Sequence, residues 1–295
     1  MLDKARWVSA LLHTAARLPL PLLHSFGTGI GWLLWCFPNQ QKKIAAKNLQ
    51  LCFPHISNRE RRSFLRQCLC HNVKTVLELG PLWLWPGEQV LSLVRSSHGE
   101  DAWHESLRNG QGAIVLTPHL GAWELTGLYI ASRSPLTSLY RPSRLGGQFD
   151  KLVLQGRERL GNRLVPTEAA GVKRLLQAIR NGEAAGILPD QDPGPDNGLF
   201  IPFFGHPANT MLLLSRLAIR CNAPVFIAYA ERLPRGRGFR LHFDALPDSI
   251  RQEPLERSAE VLNQAIEQAI RQHPEQYLWT YKRFKQRPPG LAKIY

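Results

Sequence analysis

GAIVLTPHLGAWEL, residues 112 to 125, sets an apolar run beside a proline, a histidine, a glycine and a glutamate. As one unbroken helix it fails: five steps from His119 to Glu124 (124 − 119), at about 100° each, leave the two side chains roughly 140° apart. The spacing also misses the interval of about four residues by which zinc-binding helices bring two histidines to one face. The stretch reads instead as a strand, a bend and a helix. Ala113 to Leu116 form a short buried strand, Pro118 ends it, and Gly121 permits the turn into a helix starting near Trp123. His119 then stands at the carboxyl end of a strand and Glu124 in the following helical turn, where its carboxylate is expected to reach back to an imidazole nitrogen. A base with its orienting acid is what this arrangement predicts.

The same texture runs to the end of the chain. EAAGILPD, LTSLYRP, NRLVP, APVFIAYAERLP and FRLHFDAL are further short apolar runs of strand character. They alternate with helical stretches at 123 to 132, 146 to 160, 168 to 181, 208 to 221 and 254 to 272. Such alternation predicts an α/β fold, a mixed sheet with helices flanking both faces. Ligands in these folds gather at the carboxyl ends of strands, where His119, Arg141 and Asp190 fall. Residues 39 to 95 read as helical, with Asn58 as the expected cap of the longer helix. Residues 39 to 295 are thus expected to form one α/β domain, helical to 95 and alternating from 112.

Residues 1 to 38 differ. WVSALLHTAARLPLPLLHSFGTGIGWLLWCFP, from Trp7 to Pro38, has no fixed charge between Arg17 and Lys42 and carries tryptophans at 7, 32 and 35, suited to a headgroup interface. No small-residue cleavage site follows it. The expectation is an N-terminal hydrophobic helical anchor or interfacial segment, followed by the cationic patch of Lys42, Lys43 and Lys47 against anionic lipid.

A formal charge of +14 draws phosphate-rich or acidic partners. The basic residues are dispersed and form no recognised nucleic-acid module, so nucleic acid is not the expected partner. The five cysteines contain no CxxC pair and predict neither a disulfide framework nor a zinc ribbon. YRPSR, residues 140 to 144, offers Arg141 and Arg144 beside a stiffened turn; LPDQDPGPDNG, residues 188 to 198, offers Asp190 and Asp192 in a turn-rich loop. IPFFGHPANT, residues 201 to 210, reads as a loop with a helix cap at Asn209 or Thr210.

HLGAWE, YRP, LPDQDPG, IPFFGHPANT and the carboxyl-terminal HPEQYLWTYKRFKQRP, residues 273 to 288, occur in an order that resembles the lipid A biosynthesis lauroyl and myristoyl acyltransferases, within the wider glycerolipid acyltransferase superfamily. The resemblance covers nearly the whole chain. It implies transfer of a fatty acyl chain from acyl carrier protein to a hydroxyl of a Kdo-lipid A precursor, at the cytoplasmic side of the bacterial inner membrane, without metal or cofactor. His119 is the expected general base and Glu124 its supporting acid. Arg141 is the expected partner of the oxyanion, Arg144 of an acceptor phosphate, and Asp190 and Asp192 of the loop or a sugar hydroxyl. Acyl carrier protein and anionic inner-membrane lipid account for the positive charge. Other readings stay open at this point: another glycerolipid or aminolipid acceptor, a non-catalytic binding protein for anionic membrane or nucleic acid, or a metal-assisted hydrolase using His119, Asp190 and Asp192.

Overall fold

The architecture comes from a computed structural model that describes residues 2 to 143 and 146 to 295. The chain opens with helices α1 (Leu2–Ala15), α2 (Leu20–Cys36), α3 (Gln40–Cys52), α4 (Asn58–Leu84) and α5 (Gly87–Leu91). The alternating part is β1 (Val94–His98), α6 (Glu100–Arg108), β2 (Ala113–Leu116), α7 (Trp123–Ala131), β3 (Leu136–Tyr140), α8 (Gly147–Glu158), β4 (Asn162–Pro166), α9 (Ala169–Arg180) and β5 (Ala184–Ile187). A hairpin of β6 (Gly198–Phe203) and β7 (His206–Met211) precedes α10 (Leu213–Cys221), β8 (Val225–Arg232), β9 (Phe239–Ala245) and α11 (Leu255–Gln272).

Seven strands form one mixed sheet in the order β1-β9-β8-β2-β5-β3-β4. Only β8 and β9 pair antiparallel; the other neighbours are parallel. Successive side chains of a strand point to opposite faces, so each sheet face carries its own core. In β2, Ala113 and Val115 enter the cluster covered by α1, α2, α4 and α7, while Ile114 and Leu116 enter the cluster under α9, α10 and α11.

Helical character from residue 39 ends at Leu91; Val94–His98 adds a strand that pairs with β9. The cap of α4 is Ser57, one residue before the expected Asn58. Its hydroxyl accepts from the Glu60 N–H at 3.2 Å while its own N–H donates to Glu60 Oε2 at 2.9 Å, a reciprocal capping box. IPFFGHPANT is not a loop running into a cap. Phe203 pairs with His206 across the two-residue turn Phe204-Gly205, both at positive φ (49° and 76°), as a tight hairpin demands. Helix α10 therefore starts only at Leu213.

The amino-terminal helices have two unlike faces. Leu12, Ala15, Leu20 and Leu23 are buried in the core on α4 and the sheet. Gly27 and Gly31 let α2 lie directly on α4: a Cβ at Gly31 would come within 2.4 Å of the Cys70 Cα. Outward, Trp7, Leu22, Phe26, Trp32, Leu33 and Phe37 are exposed. Among the described residues no single helix is long and apolar enough to cross a membrane; α2 and α3 pass that test only together, bent by 84°.

Candidate active site

Parallel neighbours β2, β5 and β3 end on the same edge of the sheet, which brings His119, Asp190 and Arg141 to one place. After β2 the chain turns at Gly121, where φ is +61° and an added Cβ would lie 2.0 Å from the Ala230 carbonyl oxygen. Only glycine allows that approach. The turn is fastened on both sides. Gly121 N–H donates to the Gln276 carbonyl (3.1 Å), Ala122 N–H to the Ala230 carbonyl (2.9 Å), and Leu278 N–H to the His119 carbonyl (3.0 Å).

His119 Nδ1 lies 2.8 Å from Asp190 Oδ1, and the His119 backbone N–H donates to Asp190 Oδ2 at 2.9 Å. The carboxylate contact expected from Glu124 is therefore made by Asp190. The reason is strand order: β5 lies beside β2, so the residue just past β5 faces the imidazole. Burial alone would raise the Asp190 pKa. The charge of His119, its two hydrogen bonds and the charge of Arg283 outweigh that and hold the carboxyl below its ordinary value. An ionised Asp190 orients the ring by accepting at Nδ1.

Glu124 is buried and taken by other groups. Arg157 Nε donates to Glu124 Oε2 at 2.8 Å, its Nη2 donates to Oε1, and Trp83 Nε1 donates at 3.2 Å. Burial pushes the Glu124 pKa up, but the Arg157 charge and these hydrogen bonds bring it below the usual value; the charge of His119 acts in the same direction. Glu124 thus fixes a guanidinium on the cavity that His119 also lines, and the Glu124 and His119 side chains act on each other through their charges.

His119, Glu124, Arg141, Arg157 and Gln191 line a cavity of about 600 Å³. Its remaining wall includes Val115, Leu128, Ile130, Leu136, Leu139 and Leu164. A space with ionisable groups and a long apolar wall suits a ligand with a reactive head and a hydrocarbon tail. Gln191 Nε2 stands 3.1 Å from His119 Nε2. With Nδ1 donating to Asp190, Nε2 is the acceptor and Gln191 its donor.

Of the other expected residues, Arg141 is exposed and lines the cavity. Arg144 lies outside the described residues. Asp192 shapes the loop: its Oδ1 accepts from Gly194 N–H (2.8 Å), Asn209 Nδ2 (3.1 Å) and Gln286 Nε2 (2.9 Å). Asp190 and Asp192 serve different partners, and among the described residues they form no metal-binding cluster with His119. The basic run YKRFKQR forms no helix; Arg283 is 3% exposed and donates to the Asn209 carbonyl and Thr210 Oγ1. Gln191 and Arg157 were missed from sequence. Gln191 sits between the two aspartates of LPDQDPG, a place where attention to charge passes over an amide. Nothing local marks Arg157.

The chain matches the bacterial lipid A biosynthesis acyltransferase family over residues 4 to 286. It belongs to that family. The lipid A biosynthesis lauroyltransferase of Escherichia coli (strain K12) is 28% identical over 97% of this chain and 92% of that protein. The palmitoleoyltransferase of the same strain is 30% identical over 95% and 90%, and the myristoyltransferase 28% identical over 93% and 83%. This lipid A acyltransferase is thus an enzyme, and its relatives differ by name in the chain they transfer at nearly equal identity.

Proposed function

We propose that this acyltransferase moves a fatty acyl chain from the thioester of acyl carrier protein to a hydroxyl of a Kdo-lipid A precursor, with His119 as the general base. One observation carries the reading. Nδ1 of His119 is held by a buried, ionised Asp190, which leaves Nε2 as the proton acceptor beside Gln191 in a cavity that also has an apolar wall.

The acceptor hydroxyl takes the place of the Gln191 amide at Nε2 and gives up its proton as its oxygen attacks the thioester carbonyl. Asp190 stabilises the imidazolium, and Arg141 meets the negative oxygen of the tetrahedral intermediate; one such donor contributes about 3–4 kcal/mol. The C–S bond then breaks, and the thiolate takes the proton from the imidazolium. No acyl-enzyme is needed, since the acceptor oxygen is the nucleophile. Glu124 supports catalysis by holding Arg157 in the cavity, where its guanidinium faces phosphate or carboxylate groups of the acceptor.

The +14 charge serves an acidic carrier protein and an anionic leaflet. The exposed Trp7, Phe26, Trp32 and Phe37 with neighbouring Lys42 and Lys43 support an interfacial placement of α1 and α2 on the cytoplasmic side of the inner membrane. The test is incubation of detergent-solubilised protein with acyl carrier proteins bearing chains of several lengths and a Kdo-lipid A precursor, followed by product mass. Addition of one acyl group is expected, most rapidly from one donor. No product with any donor would overturn the assignment of donor and acceptor.

A further inference from the structure

Glu231, His242 and His273 come together away from the catalytic cavity, which none of them lines. Glu231 is the penultimate residue of β8, His242 lies in β9, and His273 follows the last residue of α11. Their side chains are 14%, 12% and 21% exposed. Glu231 Oε2 is 3.0 Å from His242 Nε2 and 3.7 Å from His273 Nε2, and the three donor atoms all lie within 4.8 Å of one another. Nitrogen and oxygen ligands about 2.0–2.2 Å from a tetrahedral zinc ion stand roughly 3.3–3.6 Å apart, so the two measured separations bracket the required value.

We propose that these three residues bind one Zn²⁺ per chain. Two imidazoles and a carboxylate suit zinc better than magnesium or calcium, which take oxygen ligands, and they leave the fourth position to water. Packing sets the orientation. The His242 ring lies flat on Tyr229, with centroids 4.6 Å apart and planes 9° apart, and the Tyr229 hydroxyl donates to Gln272 Oε1 beside His273. The charge that opposes a cation is Arg240, whose Nη1 is 3.6 Å from Glu231 Oε2. Its side chain is half exposed, so it can withdraw into water. The three donors are far apart in sequence and match no zinc-ligand spacing, which is why a motif reading expects no metal.

The ion would tie the end of α11 to β8 and β9. Just beyond His273, the Gln276 carbonyl and the Leu278 N–H hold the turn that carries His119, so zinc here braces the active site without entering it.

The full chain, treated with chelator and dialysed, is titrated with Zn²⁺ by calorimetry while the melting temperature is followed. One Zn²⁺ per chain and a higher melting temperature are expected. His242→Ala, His273→Ala and Glu231→Gln lose affinity by about tenfold or more, since even residues behind a metal ligand cost that much. Arg240→Gln keeps every ligand and binds more tightly, a gain that misfolding cannot mimic. Absence of binding by the unmodified chain, or equal affinity in the folded ligand variants, overturns the site. Neither readout uses acyl transfer, so either result leaves the assignment of His119 to its own test.

Discussion

His24 and His119 both rest on buried carboxylates, yet their surroundings differ. His24 Nε2 lies 2.6 Å from Glu78 Oε1, with both side chains nearly inaccessible. Arg232 forks onto the same carboxylate at 2.5 and 2.6 Å and also meets His71 Nδ1 and Thr75 Oγ1. That network is closed. His119 has a comparable bond to Asp190, but among the described residues its second ring nitrogen meets only Gln191, in the cavity. Pairing with an acid is therefore not what distinguishes the proposed base; the direction of the other nitrogen is. The two regions touch at Gly121, whose carbonyl receives Arg232 Nη2 at 3.3 Å while its N–H goes to Gln276. The closed network holds the turn that the open pair uses.

Damage to the closed network is expected to appear as lost stability. Arg232→Ala leaves Glu78 as a buried unpaired charge and is expected to cost about 3–5 kcal/mol, read by chemical denaturation; Arg232→Met with Glu78→Leu costs less. Damage to the open pair appears as lost rate. Asp190→Asn keeps the shape but removes the charge behind the imidazole, and kcat is expected to fall on the order of a hundredfold or more, with a smaller loss of stability than in Arg232→Ala. A large loss of stability in Asp190→Asn would blur the comparison.

Acid sharpens it further. Burial, then the charges of Arg232 and Lys74, push the His71 pKa well below 6.5. Burial raises that of Glu78, but Arg232 and His24 outweigh it and bring it from 4.5 to about 2. Both folded values are depressed, so both groups contribute stability that is present at neutral pH. The His71 share is lost as pH falls below 6.5, and the Glu78 share as it falls from 4.5 toward about 2. Denaturation measured across this range should steepen below 4.5, and Arg232→Met with Glu78→Leu should flatten that part. The smallest effect belongs to Glu124→Gln, which loosens Arg157 without touching His119. A roughly tenfold fall in kcat/KM, carried mainly by KM, is expected.

Local signals made much of this legible. The bend at Gly121, the strand ending before His119 and the helix starting at Trp123 all follow from residues close in sequence. Contacts set by strand order did not. β3 and β4 intervene in the chain between β2 and β5 but not in the sheet, so the bond from His119 to Asp190 has no local trace. Pro202 and Pro207 disguised the β6–β7 hairpin, although Phe204-Gly205 between apolar flanks is a turn signal. The basic tail hides its place in the fold as well, because charge usually seeks water. Arg283 is instead buried, donating to the Asn209 carbonyl and Thr210 Oγ1 of β7.

The most direct measurement compares single-turnover acyl transfer by His119→Ala and His24→Gln, each normalised to folded protein. Glutamine at 24 keeps a donor for Glu78, so this variant is expected to retain transfer near the unaltered rate. His119→Ala, with its melting temperature preserved, is expected to lose about a hundredfold to ten-thousandfold. Transfer surviving in folded His119→Ala, or equal losses in both variants, would contradict the claim that the nitrogen facing the cavity is the base.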